Sequence, residues 1–334
     1  MSRADLPATP EKGDSAGTWS DDRIPVVDLD VLVNGDAAQR AEAIRHLGRA
    51  CEEWGFFMVI NHGVPAFLQG ATMDACKEMF DLPAEENAEY MNPTLMAPVS
   101  LGTSLNSAYW RNYVKFFTHP DFHCPEKPAN LRVNVTEYAT RTRGLMLALT
   151  AAISESMGLD DGRIAEALNL EDCFQLIVWN QYPPAGPEVG LPPHTDHGLL
   201  ALLFQTGVDG LQVQKNGRWI LAKPIPNSYF VIAGDQLEIV SNGRYKAALH
   251  RAMVHGEQAR MSSVCLLGPC LDTVVQPIPE VALQGVEFRG IKYREYIEHQ
   301  RTKTVNENAA VVVARAQREI LARQGSPNST EIKA

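Results

Sequence analysis

His194 and Asp196 stand two residues apart, and further along His250 precedes the triplet Arg260-Met261-Ser262. Two imidazoles and one carboxylate meeting on one side of a metal make the 2-His-1-carboxylate arrangement, which suits ferrous iron and leaves coordination positions open. In an extended chain residues i and i+2 point the same way, so His194 and Asp196 converge while Thr195 turns aside. The third ligand has to come from another strand, and His250 is the candidate. His197 is too close to His194 and off the face of Asp196, and His255 falls in a turn. Arg260 and Ser262, again two apart, put a fixed cation and a hydroxyl on one face, a pair fit to grip a carboxylate. Asn180 and Tyr182 offer two more polar groups one short loop before His194.

These residues need a scaffold of strands. Beyond Cys173 the pattern turns strand-like, with candidates at 174–182, 198–205, 211–214, 218–222, 229–233, 237–240, 247–254 and 260–268. Asn216-Gly217 and Asn242-Gly243 supply turns whose central residues tolerate positive φ. Short strands at this spacing predict a mainly β protein with flanking helices and a double-stranded β-helix (jelly-roll) core over 171–300. A turn centred on Gly256 and Glu257 would make a hairpin of the last two strands and set His250 opposite Ser262.

The preceding part, 23–170, reads as mostly helical. A short strand at 24–29 leads to a helix with Ile44, Leu47, Cys51 and Trp54 on one stripe, then a buried strand at 56–61. Pro65 opens a second helix bearing Leu68, Thr72, Cys76 and Met79, and 133–157 reads as a long helix striped by Tyr138, Leu145, Leu149 and Ile153. Between 81 and 128 periodicity fails while aromatics accumulate, which predicts a lid or binding loop, the other reading being rings packed over the core edge. Residues 1–22 read as a disordered leader and 301–334 as a C-terminal helix and tail.

Composition narrows the function classes. A net charge of −10, from 30 basic and 40 acidic residues, argues against a nucleic-acid surface, which needs clustered cations. No apolar run is long enough to cross a membrane and none of signal-peptide type opens the chain, so the expectation is a cytoplasmic protein. The six cysteines lack Cys-x-x-Cys spacing, which points to neither zinc nor a disulfide framework and fits a reducing compartment.

Taken in order, Asn180 and Tyr182, His194-x-Asp196, His250 and Arg260-x-Ser262 resemble the iron(II)/2-oxoglutarate dioxygenases of the soluble plant type with the isopenicillin N synthase-like fold. The resemblance spans nearly the whole chain: Trp54-Gly55-Phe56-Phe57, Asn61-His62-Gly63-Val64, Tyr182-Pro183-Pro184, Gly210-Leu211-Gln212-Val213, Asn242-Gly243-Arg244-Tyr245-Lys246 and Tyr293-Arg294-Glu295-Tyr296 all match. Pro193-His194-Thr195-Asp196-His197-Gly198 is similar to the flavanone-3-dioxygenase-like and downy-mildew-resistance-like subgroup. Two departures stand out, a shorter leader before Ile24 and a compressed Ala185-Gly186-Pro187 segment lacking the usual Cys-Pro.

The resemblance implies iron(II) held by His194, Asp196 and His250, with 2-oxoglutarate and O2 as co-substrates and ascorbate as reductant. It gives Arg260 the ion pair with the far carboxylate of 2-oxoglutarate, Ser262 and Tyr182 hydrogen bonds to it, and Asn180 a part in positioning. The implied reaction hydroxylates or desaturates a small, aromatic or phenolic metabolite or hormone, in a monomer needing neither nucleic acid nor membrane. Substrate-side candidates are Leu101, Tyr109, Trp110, Phe204, Tyr293 and Tyr296. Two other readings are an iron oxidase of the same fold that uses ascorbate instead of 2-oxoglutarate, and a relative that binds a ligand without turnover.

Overall fold

The computed structural model describes residues 23–91, 97–105, 109–184, 188–205, 207–254 and 257–302. The leader, the compressed segment at 185–187, the His255-Gly256 turn and the tail from 303 lie outside the described residues.

The chain opens with β1 (Val26–Asp28), α1 (Leu29–Asn34), α2 (Ala37–Glu53), β2 (Phe56–Ile60) and α3 (Ala66–Asp81). Next come β3 (Val99–Leu105), β4 (Trp110–His119), α4 (Leu131–Ser156) and α5 (Arg163–Leu168). The second half holds β5 (Phe174–Tyr182), β6 (Val189–His194), β7 (Leu200–Gln205), β8 (Leu211–Lys215), β9 (Arg218–Leu221) and β10 (Tyr229–Ala233). After α6 (Asp235–Val240) follow β11 (His250–Met253), β12 (Arg260–Gly268), β13 (Val274–Val275), β14 (Ile291–Lys292) and α7 (Tyr293–Thr302).

Two sheets form the jelly roll. The major sheet runs β1-β2-β10-β7-β12-β5-β4-β3 and the minor sheet β6-β11-β8-β9. Alternation along each strand of the major sheet separates two cores. On β7 and β12, Leu202, Cys265 and Leu267 face the helices and join a cluster with Leu47 of α2, Met79 of α3 and Leu145 and Leu149 of α4. Ala201, Leu203, Val264 and Leu266 face the other way and meet Leu211 and Val213 of the minor sheet. Arg260 and Ser262 share the parity of Val264, so they too point into the space between the sheets. The helices brace the outside. The predicted stripe of α2 is buried at Leu47, Cys51 and beyond its end at Trp54, and Asp36 starts that helix with a reciprocal capping box to Gln39.

Four sequence expectations need correction. The aperiodic aromatic stretch contains a β-hairpin: β3 and β4 pair antiparallel and extend the major sheet beside β5. Its alternation is hidden because the inward face of β4 carries Arg111, Tyr113 and Lys115 rather than apolar residues. The expected strand at 237–240 is part of α6, since so short an apolar run cannot be told from a buried helix by periodicity. An unforeseen strand, β6, ends at His194; Pro192 and Pro193 mask it, and both are tolerated because β6 is an edge of its sheet. Finally, β11 and β12 do not pair. β11 lies between β6 and β8, and β12 between β5 and β7, so the chain crosses from one sheet to the other between them.

Candidate metal centre and anion clamp

His194 closes β6, His250 opens β11, and the two are direct partners across the ladder. Asp196 stands in the loop that follows β6. That loop is held from behind by the start of α6: the backbone N–H groups of Gly234, Asp235 and Gln236 donate to the carbonyls of Leu199 (3.0 Å), Asp196 (2.8 Å) and Gly198 (3.1 Å). The Gln236 side-chain amide adds a bond to the His197 carbonyl at 2.9 Å. Gly234 permits this approach, because a Cβ there would lie 2.2 Å from the Gly198 carbonyl oxygen.

Both histidines are oriented alike. Nδ1 of His194 bonds the carbonyl of Pro192 (2.8 Å) and Nδ1 of His250 that of Ala248 (2.9 Å), which leaves each Nε2 directed at the carboxylate. Nε2 of His194 is 3.8 Å and Nε2 of His250 3.9 Å from Oδ1 of Asp196. Two metal–ligand bonds of about 2.0–2.2 Å span up to about 4.4 Å, so these separations would admit one ion held by all three residues. Desolvation and then the neighbouring His250 hold the His194 pKa well below its ordinary value, which keeps the ring in its neutral, ligating form. Oδ2 of Asp196 is buried with no hydrogen-bond partner. Neutral imidazoles and an orphaned carboxylate oxygen are a donor set for a divalent cation, and the three residues fit iron(II).

On the opposite wall, Arg260 pairs with Tyr182 and Ser262 with Asn180 along the β12–β5 ladder. Arg260 is 1% exposed. Its guanidinium lies 5.0 Å from the Tyr182 ring centre, and Nη2 donates to Oε1 of Gln205 at 2.5 Å. Nε and Nη1 are buried and unpartnered. Burial lowers the pKa, yet an arginine keeps its proton. Asn180 donates to Oγ of Ser262 (3.3 Å) and accepts from Nη1 of Arg111 (3.2 Å). Gly210 leaves the room: a Cβ there would meet Cδ of Arg260 at 2.8 Å. A buried cation with two unused N–H groups beside a serine fits the far carboxylate of 2-oxoglutarate.

The structure brings together His194, Asp196 and His250, and separately Arg260, Ser262, Tyr182 and Asn180. His197 lies outside the metal-ligand cluster. The expected substrate-side residues do not assemble. Leu101 and Phe204 pack into the helix-side core, Phe204 against the rings of Tyr138 and Tyr229. Trp110 shares the parity of Val114 and Phe116, which also face the helices. Tyr293 and Tyr296 are buried and stacked, and the Tyr296 hydroxyl donates to Oδ2 of Asp235, so they brace the loop of Asp196 from outside. Only Tyr109, bridged to Val189 of β6, keeps the inward parity of β4. Sequence reasoning missed Gln205, Asp235, Arg111 and Lys115. Counting two residues from Leu203 and from Tyr113 would have placed Gln205, Arg111 and Lys115 inward; nothing local marks Asp235.

A facial metal triad on one wall of a jelly roll and a carboxylate clamp on the other define a non-haem iron oxygenase. Residues 173–269 match the 2OG-Fe(II) oxygenase superfamily, and residues 24–135 match the non-haem dioxygenase in morphine synthesis N-terminal family. The chain is 59% identical over 323 residues to 2-oxoglutarate-dependent dioxygenase 19 of Oryza sativa subsp. japonica, covering 93% of each. It is 36% identical over 292 residues to flavanone 3-dioxygenase 2 of the same rice, covering 83% of each. The crystal structure of JOX2 in complex with 2OG, Fe and JA superposes with a TM-score of 0.79 at 28% identity, over 87% of this chain and 89% of that one. The protein belongs to the 2OG-Fe(II) oxygenase superfamily and is a 2-oxoglutarate-dependent dioxygenase.

Proposed function

We propose that the enzyme hydroxylates or desaturates a small aromatic or phenolic metabolite or hormone, with His194, Asp196 and His250 holding iron(II) and Arg260, Ser262, Tyr182 and Asn180 seating 2-oxoglutarate. The observation that carries this reading is the pairing of an orphaned, buried Asp196 oxygen with a buried Arg260 whose Nε and Nη1 lack partners. When bound, the iron supplies the oxygen-dependent chemistry that couples decarboxylation of 2-oxoglutarate to attack on a C–H bond. The chain contributes position. Backbone carbonyls fix both imidazoles, α6 fixes the loop of Asp196, and Gln205 and Tyr182 fix the Arg260 fork, so little reorganisation is left when the co-substrate arrives. The apolar floor of Leu203, Val264 and Leu266 keeps water from the inner side of the site.

Support for a small-molecule substrate comes from the similarity to a flavanone 3-dioxygenase. No helix among the described residues is long and apolar enough to cross a membrane. A cytoplasmic monomer in plant specialised metabolism fits these features, with ascorbate as reductant. The test is a panel of flavanones, salicylate, auxin-like acids and gibberellins with iron(II), 2-oxoglutarate and ascorbate, reading succinate and product masses. One succinate per product with a mass gain of one oxygen, or loss of two hydrogens, supports the reading. Product formed without succinate would move the protein to the ascorbate-using oxidases, and succinate without product across the panel would exclude these substrate classes.

A further inference from the structure

The inward face of β4 carries two cations outside the metal triad and the Arg260-x-Ser262 pair, of which Arg111 reaches the clamp only through Asn180. Val114 and Phe116 pack into the helix-side core, so alternation turns Arg111, Tyr113, Lys115 and Phe117 toward the space between the sheets. The β4–β5 ladder pairs Tyr113 with Asn180, and the β5–β12 ladder pairs Asn180 with Ser262. The wall bearing Arg111 and Lys115 is therefore continuous with the wall bearing the clamp.

Arg111 is built into place rather than left loose. Nη1 donates to Oδ1 of Asn180 at 3.2 Å, and the guanidinium stands 5.2 Å from the centre of the Tyr113 ring. Its Nε is buried without a hydrogen-bond partner, and among the described residues it forms no ion pair. Lys115, four residues further along and on the same face, is half-buried.

Each other inner charge has a counterpart. Asp196 would answer a bound cation, and Arg260 would answer the far carboxylate of the co-substrate, with Asp209 at longer range. Among the described residues nothing acidic pairs with Arg111. A guanidinium partly withdrawn from water with an unused N–H costs stability unless an anion arrives to meet it, and its planar fork matches a carboxylate. Arg260 and Ser262 would take a carboxylate of 2-oxoglutarate on their own part of the wall, which leaves Arg111 to the other substrate.

We propose that the prime substrate is an organic anion whose carboxylate is received by Arg111, with Lys115 as the second positive charge on the same wall. This deepens the dioxygenase reading and rests on it.

The test uses the full chain loaded with manganese(II) and 2-oxoglutarate, which binds without turning over, and calorimetric titration with three matched pairs: salicylate and salicylamide, cinnamate and cinnamamide, indole-3-acetate and indole-3-acetamide. At least one acid should bind about tenfold or more tighter than its amide, the margin expected of a charge-assisted contact. Arg111→Gln should erase that preference, Arg111→Lys should restore part of it, and Lys115→Met should reduce it, while 2-oxoglutarate affinity stays within about threefold of wild type in all three. Melting temperatures of the same samples separate misfolding from lost recognition, and Lys115→Met carries the test if Arg111→Gln does not fold. Acids and amides that bind alike, or bind nowhere, overturn the proposal. So does an Arg111→Gln variant that loses 2-oxoglutarate instead, since Arg111 would then serve the co-substrate. If wild type fails to bind 2-oxoglutarate at all, it is the underlying reading that falls.

Discussion

His250 and His194 face each other directly across the β11–β6 ladder, with ring centroids 4.2 Å apart and planes inclined at 52°. One device turns both rings: Nδ1 bonds a backbone carbonyl two residues earlier in the chain. The imidazole pair therefore belongs wholly to the minor sheet, and Asp196 completes the triad from a loop that α6 holds. Arg260 and Ser262 belong to the major sheet. The site lies between two walls, the metal donors on one and the carboxylate clamp on the other.

Replacing His194, Asp196 or His250 by Ala should each abolish tight iron(II) binding, with a loss larger than the roughly 10–100-fold typical of removing an outer-shell partner. The fold should survive, because the strands are held by the two apolar clusters and not by the ligands. Metal content after dialysis and circular dichroism on the same samples check both halves. His197→Ala should keep its iron. Iron retained in His250→Ala but lost in His197→Ala would refute the assignment.

The clamp makes two opposite predictions for one residue. Arg260→Ala leaves the bound carboxylate without its cation in an enclosed site, a loss of about 3–5 kcal/mol, so 2-oxoglutarate affinity should drop by at least about two orders of magnitude. Arg260→Lys should recover only part, since an ammonium lacks the two-pronged fork. In ligand-free protein the sign reverses. A buried guanidinium with two unpartnered nitrogens is unfavourable there, so Arg260→Met should raise the melting temperature without 2-oxoglutarate. Unchanged 2-oxoglutarate affinity in Arg260→Ala would favour the oxidase reading.

The ligand set and the clamp were legible in the sequence because alternation is a local rule. Asp196 follows His194 by two, and Ser262 follows Arg260 by two, whatever the strands do next. Their mutual placement was not legible. A turn at His255-Gly256 suggests a hairpin, but in a jelly roll strands that follow one another often enter different sheets, and β11 and β12 do so here. The same limit hid β4. Its outward Val114 and Phe116 look like strand core only once its inward Arg111 and Lys115 are known to line a polar site. Asp235 was invisible for a different reason: its role lies in a backbone N–H and in a buried contact with Tyr296, and neither leaves a mark on local pattern.

Asp235 should show itself in the pH dependence of stability. Burial pushes its carboxyl from 3.8 up to about 7, against the opposing bond from Tyr296. The folded state therefore keeps a proton that the unfolded state has released between those two values. By linkage, stability from this group is full below about pH 4, falls as pH rises through about 7, and is level beyond that. In metal-free protein Asp235→Asn should flatten this decline, because an amide accepts from Tyr296 without ionising. Denaturant melts of both proteins between pH 4 and 8 test this, and parallel curves would show that Asp235 does not titrate in that range.

The hairpin of β3 and β4 yields the last prediction, in which a lid and a sheet strand part company. Phe116 is fully buried, its ring 5.1 Å from that of Trp179 at 80°, the edge-to-face arrangement aromatic pairs favour. If the segment were a lid closing over substrate, Phe116→Ala would leave the resting fold nearly as stable and would instead raise 2-oxoglutarate consumed per product formed. As a strand whose outward face packs into the helix-side core, it should lose about 3–5 kcal/mol of unfolding free energy, the usual cost of truncating a buried aromatic ring. Tyr109→Ala, on the inward parity beside β6, should cost much less and act on substrate affinity. Urea melts give the first quantity and the succinate-to-product ratio the second. A Phe116→Ala protein with wild-type stability and a raised ratio would return the segment to the lid reading and remove the wall on which Arg111 and Lys115 are placed.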